Sequence, residues 1–258
     1  MSRGTALITG ASSGIGAALA KQCAAGGYDV VLVARRADML ATLARELTAV
    51  HGIDAQVITA DLAQESAPDE LVRALNGRAI DILINNAGFG VNGPFTSNAW
   101  DDERRLLQVN VLALVRLTKL ILPAMVARGS GRVLNVASTA AFVPGPFMAM
   151  YYASKAFVFS FSLSIANEVQ STGVTVTALC PGPTRTEFGD VAGISGSRLF
   201  RGPAMSAEAV AKEGYAAMMA GKPEVIAGAR NRWMILGTRL APRTMLAAIT
   251  RRLNSSLQ

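Results

Sequence analysis

Thr9-Gly10-Ala11-Ser12-Ser13-Gly14-Ile15-Gly16 follows the apolar run Ala6-Leu7-Ile8 and leads into Ala17-Ala18-Leu19-Ala20. An apolar strand, a glycine-rich turn and a helix start are the parts of a site for a dinucleotide pyrophosphate. Glycine lets the backbone turn tightly and come close to phosphate oxygens. The helix start offers free N–H groups and the positive end of its dipole to the anion. The spacing is Gly10-x3-Gly14-x-Gly16 rather than the commoner Gly-x-Gly-x2-Gly. The motif therefore gains its weight from residues further along the chain.

Working outward, apolar and β-branched runs predict strands over 6–9, 30–34, 55–60, 80–85, 132–137, 174–179 and 224–227. Most are continuously apolar rather than alternating, as in strands covered on both faces. Helix-period segments lie between them at 14–25, 38–50, 67–75, 100–127, 151–171 and 207–220. This alternation predicts an α/β fold: one Rossmann-type, doubly wound parallel sheet of about seven strands with helices on both faces. No linker or repeat interrupts the chain, so the expectation is a single domain over 1–258. The glycine-bearing stretch 186–205 is long for a connection and reads as a substrate lid. Residues 229–258 read as a basic, amphipathic tail of two short helices broken near Pro242.

Composition narrows the function classes. Apolar residues make up 51% of the chain, which excludes a disordered protein. The formal charge is +7, but six arginines between Arg230 and Arg252 stand in a tail with no Asp or Glu. The body is thus nearly neutral, which argues against a nucleic-acid-binding face. Cys23 and Cys180 sit in apolar contexts and read as reduced core thiols, so a cytoplasmic location is expected. The chain enters its first strand almost at once, and no signal peptide is expected. The segment 106–127 is apolar but holds Gln108, Asn110, Arg116 and Lys119, an expectation against a membrane span. His51 precedes Gly52 and reads as a helix cap. Without His or Cys clusters, no metal site is expected.

In a doubly wound sheet the ligand lies beyond the carboxyl ends of the strands. Those ends carry Gly10, Arg35, Asp61, Asn86, Ser138 and Pro181. Three of them sit within longer motifs: Asn85-Asn86-Ala87-Gly88, Ser138 followed by Tyr151-Tyr152-Ala153-Ser154-Lys155, and Pro181-Gly182. With the glycine turn, this ordered set resembles the short-chain dehydrogenase/reductase family in its compact form, over nearly the whole chain up to Gly228.

Tyr151 and Lys155 are four apart and share a helix face. A phenol is a poor acid–base group at neutral pH, and a nearby ammonium lowers its pKa. The resemblance implies that Lys155 does this and also holds the nicotinamide ribose. It implies that Tyr151 passes a proton to or from the substrate oxygen, that Ser138 polarises that oxygen, and that Asn110 holds a water linking Lys155 to solvent. Tyr152 is three from Lys155 and competes on spacing alone; the family pattern selects Tyr151 and leaves Tyr152 as pocket wall. For the cofactor, the resemblance implies Ser12, Ser13 and Ile15 with Gly10, Gly14 and Gly16 at the phosphates. It puts Asp61 and Leu62 beside the adenine, Asn86, Ala87 and Gly88 along the adenosine ribose, and Pro181, Gly182, Thr184 and Thr186 at the nicotinamide end.

An acidic residue after strand two would accept the ribose hydroxyls of NAD. Arg35 and Arg36 stand there instead, and guanidinium groups suit a 2′-phosphate. The expected cofactor is NADP(H), with NAD less favoured and Asp38 the one nearby diol acceptor. Phe89, Val91, residues 142–148, Phe188, Val191, Ile194, Leu199 and Phe200 are candidate pocket walls. Their character points to a small-molecule substrate, an apolar ketone or aldehyde or the matching secondary alcohol. Arg185, Arg198 and Arg201 offer a grip on a charged acyl tail instead. The expected function is an NADP(H)-preferring oxidoreductase; the alternatives are an NAD-linked alcohol dehydrogenase and a non-catalytic NADP-binding regulator. By resemblance a homo-oligomer, dimer or tetramer, is expected. The tail suits a partner subunit or a substrate cover, with an anionic membrane surface ranked behind them.

Overall fold

The computed structural model describes residues 2–193 and 204–255. In chain order they form β1 (Thr5–Thr9), α1 (Gly14–Ala25), β2 (Asp29–Ala34), α2 (Ala37–His51), β3 (Ala55–Thr59), α3 (Ala67–Ala74), β4 (Ile82–Asn85) and α4 (Trp100–Leu107). A π-helical turn (Gln108–Ala113) joins α4 to α5 (Leu114–Arg128). Then come β5 (Gly131–Val136), a 3-10 turn (Thr139–Phe142), α6 (Ala149–Glu168), β6 (Val174–Cys180), β7 (Thr184–Arg185), α7 (Phe188–Val191) and β8 (Met205–Ser206). The described chain finishes with α8 (Ala207–Met219), β9 (Glu224–Ile226), α9 (Ala229–Thr238) and α10 (Arg243–Asn254).

Seven parallel strands make one sheet in the order β3-β2-β1-β4-β5-β6-β9. All seven expected strands form, with ends shifted by a residue or two. Continuous apolar runs suit them because both faces are covered: Ala6 and Ile8 pack under α1, α2 and α8, while Leu7 between them packs under α3 and α5. Ile8 lies between Leu32 of β2 and Ile84 of β4. The strand order therefore reverses beside β1, which opens a crevice at the carboxyl ends of β1 and β4.

By length and composition the helix Trp100–Arg128 is apolar enough to cross a bilayer, although Gln108, Asn110, Arg116 and Lys119 within 106–127 argue against a span. Its place in the fold accounts for that apolarity, since Leu117, Ile121 and Met125 are core residues against Leu83 and Val133. Cys23 and Cys180 are buried and free, and burial pushes both thiols up to about 12. His51 is the last residue of α2, and Gly52 closes that helix in the left-handed conformation. Of the expected lid 186–205, residues 194–203 lie outside the described residues, and with them Ile194, Leu199, Phe200, Arg198 and Arg201. The chain on either side of that stretch forms α7 and the β7–β8 pair.

Candidate active site

Gly10, Arg35, Asp61, Asn86, Ser138 and Pro181, the six strand-end residues, all line one cavity of about 1070 Å³. At its β1 end the glycine turn shapes the wall. Gly10 has φ 66°, where a side chain is strained. A Cβ on Gly16 would stand 2.2 Å from the Gly10 carbonyl oxygen, so this position takes no side chain. Gly16 itself lies behind the wall; Ser12, Ser13, Gly14 and Ile15 face the cavity. Ser13 is the N-cap of α1 but makes no side-chain capping bond, which leaves the first-turn N–H groups without a side-chain acceptor. Thr9, to which sequence reasoning gave no role, locks the crevice shut below. Its hydroxyl donates to Ile84 O and accepts from the N–H groups of Asn86 and Ala87, while Asn86 Nδ2 donates to the carbonyls of Thr9 and Gly10.

Both arginines after β2 reach the cavity. Arg36 donates to Ser12 Oγ (3.1 Å), Ser13 Oγ (2.8 Å) and Glu187 Oε2 (2.8 Å). Ser13 also donates to Glu187 Oε2 (2.9 Å). The Arg36 guanidinium and the Ser13 hydroxyl hold the Glu187 carboxyl below the usual range. An anion thus already stands among the groups expected at phosphates, and no sequence signal marks Glu187. Arg35 is exposed at the rim and has no carboxylate within ion-pair distance among the described residues. Asp38, the one candidate diol acceptor, does not line the cavity. Asp61 and Leu62 do; Arg105, missed in the sequence, approaches Asp61 at 3.9 Å.

At the centre, Ser138 follows β5 and its Oγ accepts from the N–H of Ala140 (3.0 Å), capping the 3-10 turn. The Tyr151 side chain, in the first turn of α6, stands beside Ser138. Lys155, one turn further, is buried; its Nζ donates to Val136 O (2.7 Å) and stands 5.9 Å from the Tyr151 ring centroid. Burial pushes the Tyr151 phenol above its ordinary value, although the neighbouring Ser138 hydroxyl lowers it, and pushes Lys155 down to about 8. The resemblance implied a lowered phenol; here desolvation outweighs the other influences on Tyr151. Asn110 is buried outside the cavity on the π-helical turn. Its amide closes two bonds of 3.0 Å with the backbone of Phe89 and donates to Ser154 Oγ (3.1 Å). It braces the segment after β4 against α6. Asn85 and Asn135, paired in register on β4 and β5, continue this link through Asn135 Nδ2 to Ser162 Oγ (2.9 Å).

Beyond Tyr151 the wall turns apolar. Phe89, Val91, Val143, Met148, Tyr152 and Phe188 line it. Phe142 instead packs on Phe159, and Arg185 donates to the Ala204 carbonyl away from this cavity. The outer wall is the tail: Met234, Ile235, Met245, Leu246, Ile249 and Leu253 face the same space. Three bonds fasten α10 there, from Thr250 Oγ1 to Pro144 O (2.6 Å), Asn254 Nδ2 to Pro146 O (3.0 Å) and Tyr152 OH to Asn254 Oδ1 (3.1 Å). The tail thus forms part of the cavity wall. Tyr152 is a wall residue whose hydroxyl faces the tail rather than Lys155.

Residues 4–193 match the profile of the short chain dehydrogenase family. The chain belongs to the short-chain dehydrogenase/reductase family. Among its relatives is a very-long-chain 3-oxoacyl-CoA reductase of Aspergillus clavatus, 37% identical over 175 residues, which cover 66% of this chain and 51% of that protein. Another is the 17-beta-hydroxysteroid dehydrogenase type 3 of Mus musculus, 35% identical over 179 residues, 68% of this chain and 58% of the relative. The matched region thus spans only about half of these relatives' length. A short-chain dehydrogenase from Sphingobium yanoikuyae, solved in complex with NADPH, superposes with a TM-score of 0.81 at 34% identity, covering 92% of this chain and 94% of that one. The glycine turn, uncapped helix start and strand-end residues fit a nicotinamide dinucleotide.

Proposed function

We propose that this chain is an NADP(H)-dependent oxidoreductase that interconverts an apolar ketone and the matching secondary alcohol. One observation carries the reading: Ser138 and Tyr151, both half-buried, stand together where a polar, cationic cleft meets an apolar pocket. Bound nicotinamide supplies the hydride donor or acceptor. Gly10, Gly14 and the start of α1 hold the pyrophosphate, and Arg35 with Arg36 takes the 2′-phosphate. Ser138 donates to the substrate oxygen and orients it. Tyr151 gives that oxygen its proton in reduction and removes it in oxidation. A phenol raised by burial stays protonated at neutral pH, which suits the reductive direction, and the buried Lys155 ammonium stabilises the phenolate left behind. Asn110 is a positioning residue that fixes the Phe89 segment beside them. The names of the 3-oxoacyl-CoA reductase and hydroxysteroid dehydrogenase relatives support a lipophilic ketone, as does the tail-covered pocket.

The test is steady-state oxidation of NADPH and of NADH across apolar ketones, aldehydes, 3-oxoacyl thioesters and steroid ketones. Turnover with NADPH well above NADH is expected. An NADH preference overturns the role given to Arg35 and Arg36. Tight NADPH binding without turnover on any class would favour a non-catalytic regulator.

A further inference from the structure

We infer that the α9–α10 hairpin docks the protein on an anionic lipid bilayer, with the pocket mouth opening onto that surface. Six of the twelve large apolar side chains exposed on the described protein lie in residues 233–249: Trp233, Met234, Leu236, Leu240, Met245 and Ile249. Trp233 and Leu236 are spaced i, i+3 on α9, and Leu240 follows in the turn after it. Trp233 is 73% exposed and Leu240 90% exposed, values no isolated surface requires of the largest apolar side chains.

The same hairpin holds six arginines and no acidic residue. Arg232 pairs with Glu213, and Arg251 lies over the Phe147 ring. Arg230, Arg239, Arg243 and Arg252 are exposed with no carboxylate within ion-pair distance among the described residues. This charge pattern selects the occupant. A two-fold interface through this face would set the patch against its own copy, arginine facing arginine with no acid to pair. Anionic headgroups supply the missing charge, and leucine and tryptophan suit the boundary between headgroups and acyl chains.

The surface is also continuous with the pocket. Met234, Met245 and Ile249 are exposed on the hairpin and line the cavity that holds Tyr151. A lipophilic ketone dissolved in the bilayer would pass along these side chains without crossing water. This delivery role rests on the proposed reaction; the docking does not, and is read without substrate.

The full chain is mixed with vesicles of phosphatidylcholine alone, or of phosphatidylcholine with phosphatidylserine, and sedimented. Binding to the phosphatidylserine vesicles only, reversed by high salt, is expected. In a Trp100→Phe background, Trp233 emission shifts to the blue on binding. Leu240→Glu, and Arg239→Glu with Arg243→Glu, lower partitioning at least about tenfold. These side chains lie outside the cavity, so turnover of a water-soluble ketone and thermal stability stay unchanged. No binding to either vesicle, or equal binding to both, overturns the proposal. So does light scattering that shows Leu240→Glu splitting an oligomer, which would assign the face to a second copy of the chain.

Discussion

At the β1–β3 end of the cavity the wall is backbone, glycine and short polar side chains; at the α9–α10 end it is methionine, leucine and isoleucine carried on helices. The first end is fixed by strand register and by bonds between the ends of the neighbouring strands β1 and β4, such as Thr9 to Asn86 and Ala87. The second is fixed by contacts between residues more than a hundred positions apart, such as Tyr152 with Asn254 and Pro144 with Thr250. The proposed function puts the cofactor against the first wall and the ketone against the second. Changes at one end should therefore leave the binding constant of the other untouched.

The strongest test falls on the junction between the ends. Tyr151→Phe should keep NADPH binding, read by fluorescence titration, and lower kcat by about 10²–10⁴. Near-full activity would remove Tyr151 from the mechanism. Next is the cost of the buried ammonium. Lys155 is held at about 8 against the ordinary 10.5, so between those values the folded protein binds fewer protons than the unfolded one. Stability then rises with pH across that window, and Lys155 costs stability below it. The shift corresponds to about 3 kcal/mol, against which the Val136 carbonyl loses its donor at about 1–2 kcal/mol. Lys155→Met should therefore gain about 1–2 kcal/mol in denaturant unfolding at pH 7 and lose that advantage near pH 10.5. An equal effect at both pH values would show that burial does not lower the Lys155 pKa.

Smaller effects sharpen the contrast between the walls. Asn254→Ala removes two of the bonds fastening α10, and should raise KM for apolar ketones about tenfold with the NADPH Kd unchanged. A shift in that Kd would mean the two ends are coupled. At the other end, Glu187→Gln removes a carboxylate bonded to Arg36 and Ser13, the groups proposed to meet the cofactor phosphates. Because the pair is exposed, NADPH should bind only about threefold tighter by calorimetry, with ketone KM unchanged. Weaker binding would instead give Glu187 a direct part in holding the cofactor.

The same contrast explains how much was legible in the sequence. Gly10, Gly14, Ser138, Tyr151 and Lys155 stand at strand ends or at helical spacing, where local chemistry dictates residue type, and the structure brings them to one cavity. The apolar runs predicted the seven strands because both faces of the sheet are buried. Asn254, Glu187 and the pocket face of α9 carried no such mark, since their partners are remote in sequence. The sign of the Tyr151 shift was also beyond reach, because desolvation depends on how completely the finished fold surrounds the ring. The polar residues within 106–127 do not lower its apolarity as far as their number suggests: Asn110 turns inward to bond Phe89, and Arg116 pairs with Asp69.

The π-helical turn Gln108–Ala113 gives the long α4–α5 segment an uneven tolerance to change. A wide turn of this kind is one residue inserted into an ordinary helix. Each residue of such a turn advances less than the α-helical 100°, so the extra residue is absorbed locally and the helix beyond keeps its phase. Deleting one residue within the turn would cost the Asn110 bonds to Phe89 but leave Leu117, Ile121 and Met125 facing the sheet. Deleting one residue early in α5 would instead rotate everything beyond it by about 100° and turn that core layer away at once.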